Sequence, residues 1–171
     1  MTYLITTLAV VLLLSMQITF LTIIFPGSVA PDLLLITAVY CGIHFKKNTG
    51  IWLAILCGFL QDCLSGGLLG VNSLSKGLAG LFFCIIKDKI IVQGIIPVGF
   101  FIFATSLVDG MIYFLAMTSL LGGQIKGNFL FSSIILFGVC NAVIAPFLFY
   151  MFDKARQWLH RKFPTQPLKL I

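Results

Sequence analysis

The sequence predicts an all-α membrane protein: one domain of six transmembrane helices, with both termini on the cytoplasmic side. Three observations support that expectation. The chain is 60% hydrophobic and only 9% charged, with a mean hydropathy of +1.11. Its long apolar runs are broken by Gly, Pro and Asn clusters, and no polar stretch ahead of the tail is long enough for a soluble domain. Its lysines and arginines gather at the ends of those runs, which marks membrane topology. At about 20 residues per crossing plus short loops, 171 residues can hold at most about six or seven helices. The net charge of +6 therefore reports sidedness and not nucleic-acid binding.

The first segment, about 3–25, is long enough to span with some tilt. It lacks a basic n-region and an ordinary cleavage site, so it is expected to be retained as a helix. Pro26-Gly27-Ser28 breaks it. The second segment, about 31–45, opens with Pro31 as a tolerated first-turn residue and Asp32 as a cap or dipole partner. It stops before Lys46-Lys47-Asn48. Ile51 to Ile86 as one straight helix would be about 54 Å long, against a hydrocarbon core of about 30 Å, so it must fold back.

Ser65-Gly66-Gly67, with Gly70 and Asn72, supplies the turn chemistry between arms of about 50–64 and 73–86. Both arms are short, so the turn is expected to be recessed into protein or a wet cavity, or the bilayer thinned. The fifth segment covers about 95–121, with Pro97 in its first turn. The sixth covers about 129–152, with a kink expected at Pro146. Residues 153–171 form a basic cytoplasmic tail. Within it, Asp153 to Lys162 reads as a short helix, either lying on anionic lipid or meeting a cytosolic partner.

Six crossings put Lys46, Lys47, Lys87, Lys89 and the tail cations on one side, and leave Lys126 opposite. The positive-inside rule places that side in the cytoplasm.

Charges inside apolar segments carry the functional signal, because insertion scales charge about 2.5–3.5 kcal/mol for each. Ala54, Gly58 and Asp62 recur every four residues on a small-residue stripe, and Lys76, Gly80 and Cys84 form a second. Asp62 lies about 22 Å along its helix from Lys47, and Lys76 about 17 Å from Lys87. Those depths favour an Asp62–Lys76 ion pair, with Gln61 filling a spare acceptor. The other reading has Lys76 reaching the outer interface and Asp62 bonded to amides of the glycine turn. In both, Asp62 faces protein. Asp109, flanked by Thr105 and Tyr113, is a further intramembrane acid, and Gln17 and Asn141 are isolated polar groups suited to interhelical hydrogen bonds. A proton relay through Asp62 and Asp109 is a minor alternative.

The five cysteines all lie in apolar segments without a CxxC pair and read as small buried hydrophobes. His44 and His160 have no second ligand at metal spacing. Two acids without a paired base, nucleophile or metal ligand make no reaction site, so neither an enzyme nor a cofactor is expected.

The run from Ala30 to Ile36 (APDLLLI), then Gly50, then Cys57 to Val71 (CGFLQDCLSGGLLGV) resembles the MreD family of bacterial rod shape-determining proteins. The shared pattern is Pro-Asp or Pro-Asn opening a helix, then G-x-x-x-D-x-x-S-G-x-x-x-G, here Gly58, Asp62, Ser65, Gly66 and Gly70. Gln17, the Val139 to Pro146 region and the basic tail also fit, while Lys76 stands where the family leads one to expect a small or apolar residue. The resemblance implies a non-enzymatic subunit of the bacterial inner membrane. It would act with an MreC-like bitopic protein, with RodA and its class B penicillin-binding protein, and directly or indirectly with MreB filaments. It also implies a fold similar to the six-helix substrate-binding subunits of energy-coupling-factor vitamin transporters.

Two functions share such a fold: a scaffold whose surface other membrane helices read, and a transporter subunit holding a small solute. Solute pockets combine aromatic walls with convergent polar groups. Ser65 to Asn72 contains no aromatic residue, which favours the scaffold, with Asp62 and the Gly66-Gly67-Gly70 turn fixing the hairpin that partners recognise.

Overall fold

The computed structural model describes Ser15, Gln17 and residues 30–65, 69–89, 94–121 and 127–162. Among these residues the regular elements are α1 (Leu33–His44), α2 (Lys47–Ser65), α3 (Val71–Ile86), α4 (Ile95–Leu121) and α5 (Gly127–Lys162). The expected first helix, apart from Ser15 and Gln17, lies outside the described residues, as do Gly66, Gly67 and the end of the tail.

α1 begins where Asp32 caps it: the carboxylate accepts from the Leu34 and Leu35 amides, both at 2.9 Å. Pro31 therefore precedes the helix and does not occupy its first turn. Every residue from Leu33 to Gly42 is buried. A helix that is apolar on all sides must be enclosed on all sides, and α1 occupies the centre of the bundle.

α2 and α3 pack antiparallel beside it, and the small-residue stripes explain how. Ala54 meets Gly80, and Gly58 lies against the backbone of Asn72 and Ser73, so a Cβ at either glycine would collide. A Cβ on Gly50 would fall 2.7 Å from the Cys41 carbonyl, and one on Gly42 would fall 2.8 Å from that of Gly80. α2 starts at Lys47, earlier than the expected arm, because the Gly50 amide donates to the Lys46 carbonyl at 2.8 Å and closes the turn.

α4 and α5 form a second antiparallel pair, with Gly110 against Ile134 and Gly138 against Phe103. Both are long and apolar enough to cross a membrane, over Ile95–Ala116 and Ser132–Trp158. α5 continues through Pro146 and Asp153 as one helix of 36 residues, so Asp153 to Lys162 extends the last segment and is not a separate helix. No glycine or proline interrupts that stretch, and Asp153 is held by the Tyr40 hydroxyl at 2.8 Å. The two groups meet in an apolar core that includes Ile36, Val39 and Phe83 on one side and Ile102, Leu148 and Phe149 on the other.

The cysteines divide. Cys41, Cys57 and Cys84 are buried, Cys140 is partly buried and Cys63 is exposed. Cys63 follows Trp52, Leu56 and Phe59 along the outward face of α2, so it is not the buried hydrophobe expected.

Candidate functional site

The start of α1 lies inside the bundle, so its free amides and the Asp32 carboxylate need protein partners. The Asp32 amide donates to Asn141 Oδ1 on α5 at 2.7 Å, and Asn141 Nδ2 donates to the Ser106 hydroxyl on α4 at 2.9 Å. Asp32 Oδ1 accepts from Gln17 Nε2 at 3.1 Å as well as from the two α1 amides. Gln17 returns an acceptor to the Leu34 amide at 3.2 Å. Asp32 Oδ2 accepts from Gln61 Nε2 at 3.1 Å and pairs with Lys76 Nζ at 2.8 Å. Gln17 and Asn141 thus converge on one carboxylate, a placement that spacing along the chain does not reveal.

Lys76 is fully buried. Its ammonium lies between Asp32, Asn72 Oδ1 at 3.3 Å and Asp109 at 4.0 Å. Asp109 in turn accepts from the Ser75 hydroxyl, which ties α4 to α3. Of the residues expected beside it, Thr105 donates to the Phe101 carbonyl at 2.7 Å and Tyr113 is exposed.

The favoured Asp62–Lys76 pair is not what forms, and Lys76 does not extend to an interface either. Asp62 is 1% exposed and accepts from three backbone amides: Gly70 at 3.0 Å, Asn72 at 3.1 Å and Ser73 at 2.9 Å. The Asn72 side-chain amide at 3.0 Å and the Ser73 hydroxyl at 2.7 Å complete its shell. An anion at the end of its own helix is unfavourable, but the same carboxylate sits on the first turn of α3, the positive end of that helix dipole. Gly70, at φ +96°, lets the chain turn into this clamp, a conformation that glycine adopts without strain. Asn72 links Asp62 to Lys76, donating to the carboxylate while accepting from the ammonium.

Asn72, Ser73, Ser75 and Ser106 are the members that sequence reasoning missed. Asn72 reads as a turn residue and the serines as generic packing groups. Their only signal was proximity in sequence to Lys76 and Asp109. Gly58 and Gly80 are close contacts between α2 and α3, and Pro146 lies within α5. Both Asp32 and Asp62 are surrounded by donors from the protein itself, so the arrangement acts as a clamp on helix ends.

A family model described as rod shape-determining protein MreD matches residues 1–155. No curated protein and no solved structure matches the chain.

Proposed function

Because the chain belongs to the MreD family of rod shape-determining proteins, we propose that it works as a scaffold subunit of the cell-elongation complex. In this reading it supports lateral wall synthesis by contact with an MreC-like bitopic protein and with RodA and its class B penicillin-binding partner, and it connects directly or through them to MreB filaments. One observation carries the reading: the charged groups among its helices bind one another. Asp32 holds Lys76, Gln17 and Gln61, and Asp62 holds the start of α3. What remains for partners is the outer apolar face of each helix, the kind of surface that other membrane helices pack against.

The proposed setting is the bacterial inner membrane, with six crossings and both termini cytoplasmic, the first crossing formed by residues 3–25 and the domain ending near residue 152. The cations at the α1–α2 and α3–α4 junctions and at the end of α5 support that orientation. α1 has 12 residues, about 18 Å, short of a hydrocarbon core of about 30 Å. Its capped start therefore lies at mid-depth, where Asp32, Gln17 and Asn141 satisfy backbone that lipid could not. A half-length central helix beside a folded-back pair also supports the proposed likeness to the substrate-binding subunits of energy-coupling-factor transporters.

A mild-detergent pull-down of the tagged protein from its own host, read by mass spectrometry, tests the scaffold. Recovery of the MreC-like protein with RodA or the penicillin-binding protein is expected. Recovery of paired ABC-type ATPases with a coupling membrane subunit would replace the scaffold with a transporter. Asp62→Ala is expected to reduce partner recovery and round the cells; normal rods with normal recovery would remove the hairpin from the mechanism.

A further inference from the structure

The buried acids of the bundle are not equally equipped to hold a charge. Asp32 accepts from five donors: the Leu34 and Leu35 amides, Gln17, Gln61 and the Lys76 ammonium. Asp62 accepts from three backbone amides, the Asn72 side-chain amide and the Ser73 hydroxyl, at the positive end of α3. Asp109 on α4 has one hydrogen-bond partner among the described residues, the Ser75 hydroxyl. Lys76 Nζ stands 4.0 Å from it and is committed to Asp32 at 2.8 Å. A carboxylate keeps its charge when several donors surround it, and Asp109 lacks that shell.

The surrounding helices do not supply the missing charge. Asp109 is 7% exposed and lies about 21 Å along a crossing window that runs from Ile95 to Ala116, so bulk water does not solvate it. α4 has no other charged residue, and α5 has none from Gly127 to Phe152. The one charge on α3 is Lys76, and beyond Lys47 the one charge on α2 is Asp62, which the start of α3 takes up. α1 adds its cap Asp32 and, at its far end, His44. With Asp32 and Asp109 both ionised, a single ammonium would face two carboxylates, and one negative charge would stay uncompensated in the apolar interior. A carboxyl in that position neutralises instead of paying the full desolvation cost. The Ser75 hydroxyl accommodates either form, because a hydroxyl can donate to a carboxyl group or accept from one.

We propose that Asp109 is a proton-binding site, neutral in the folded protein, and that Asp32 alone is the ionised partner of Lys76. The joint between α3 and α4 is then a neutral hydrogen bond, and the Asp32–Lys76–Asp109 group carries no net charge. The proton is held and not passed on: among the described residues no second titratable group stands within hydrogen-bond distance of Asp109. The inference rests on α4 crossing the membrane and is independent of which proteins the scaffold recruits.

The test is infrared spectroscopy of the full-length protein at neutral pH in a carbonyl-free detergent, read at the carbonyl stretch of protonated carboxylic acids. A band of this kind, shifted down in heavy water, is expected in the unsubstituted protein. It should vanish in Asp109→Asn and persist in Asp88→Asn, which removes an exposed acid. It should also vanish in Asp32→Asn, where the new side chain still caps α1 but releases Lys76 to pair with Asp109. No acid band in the unsubstituted protein, or a band that survives in either Asp109→Asn or Asp32→Asn, would overturn the proposal. So would loss of the band when sodium chloride is added at constant pH, which would mean that a metal ion supplies the missing charge.

Discussion

The α1–α3 group and the α4–α5 pair solve the problem of residing in a membrane in opposite ways. α4 and α5 are long and apolar, and only 22% and 28% of their crossing windows are buried within the protein, so most of each faces outward. Each could be recognised from its own sequence. α1 to α3 are shorter and carry Asp32, Asp62 and Lys76, and they gain stability from close glycine contacts and from a polar cluster. The first strategy makes a helix independent of its neighbours. The second makes three helices interdependent, so that damage to one is felt by all.

The largest test of that contrast is Lys76→Ala. It leaves Asp32 buried without its cation, and breaking a buried pair on one side typically costs about 3–5 kcal/mol. Thermal unfolding in detergent, followed by tryptophan fluorescence, should show a large fall, whereas Val108→Ala on the outward face of α4 should barely move it. Equal effects would end the distinction.

Glycine replacements come next. Gly80→Ala drives a methyl group into Ala54 and should cost about 1–3 kcal/mol as overpacking. Gly99→Ala in α4 meets the Ala142 carbonyl at 3.4 Å, ordinary contact, and should be close to neutral in the same unfolding experiment. A smaller effect belongs to Asp62→Asn, which keeps one acceptor oxygen of the clamp on α3 and should cost about 1–2 kcal/mol. Hydrogen exchange sharpens that case: faster exchange is expected at the Asn72 and Ser73 amides, with no change along α5. The smallest expected loss is for Asp109→Asn, about 1 kcal/mol, because Asp32 still holds Lys76 at 2.8 Å and an amide still meets Ser75. A double-mutant cycle with Lys76→Ala should show weaker coupling for Asp109 than for Asp32.

Much of this was legible before the fold. The resemblance of the Gly58–Gly70 stretch to the MreD pattern led to the family that the match over residues 1–155 shows. The small-residue stripes on α2 and α3 announced close helix contact, and a buried Asp62 followed from its place on one of them. The partner of Lys76 was not legible. Depth counted along α2 and α3 put Asp62 at the right height, but height along an axis does not say which way a side chain turns. Asp62 had three backbone amides within reach across a short turn, and local donors satisfied it first. Asp32 was expected only as a cap or dipole partner of a segment over about 31–45, because nothing in its neighbourhood indicated that this helix is enclosed at the centre of the bundle.

By itself, the sequence determined what each segment is made of: which runs are apolar, where glycine and proline permit a turn, which end collects cations, and which charges must find protein partners. Those are properties of composition and local spacing, and local physics is sufficient for them. Only the tertiary structure decided which charge meets which. Asp32 and Lys76 come from elements far apart in the chain. Their meeting depends on α1 being enclosed by α2, α3, α4 and α5, a consequence of packing that no window along the chain contains.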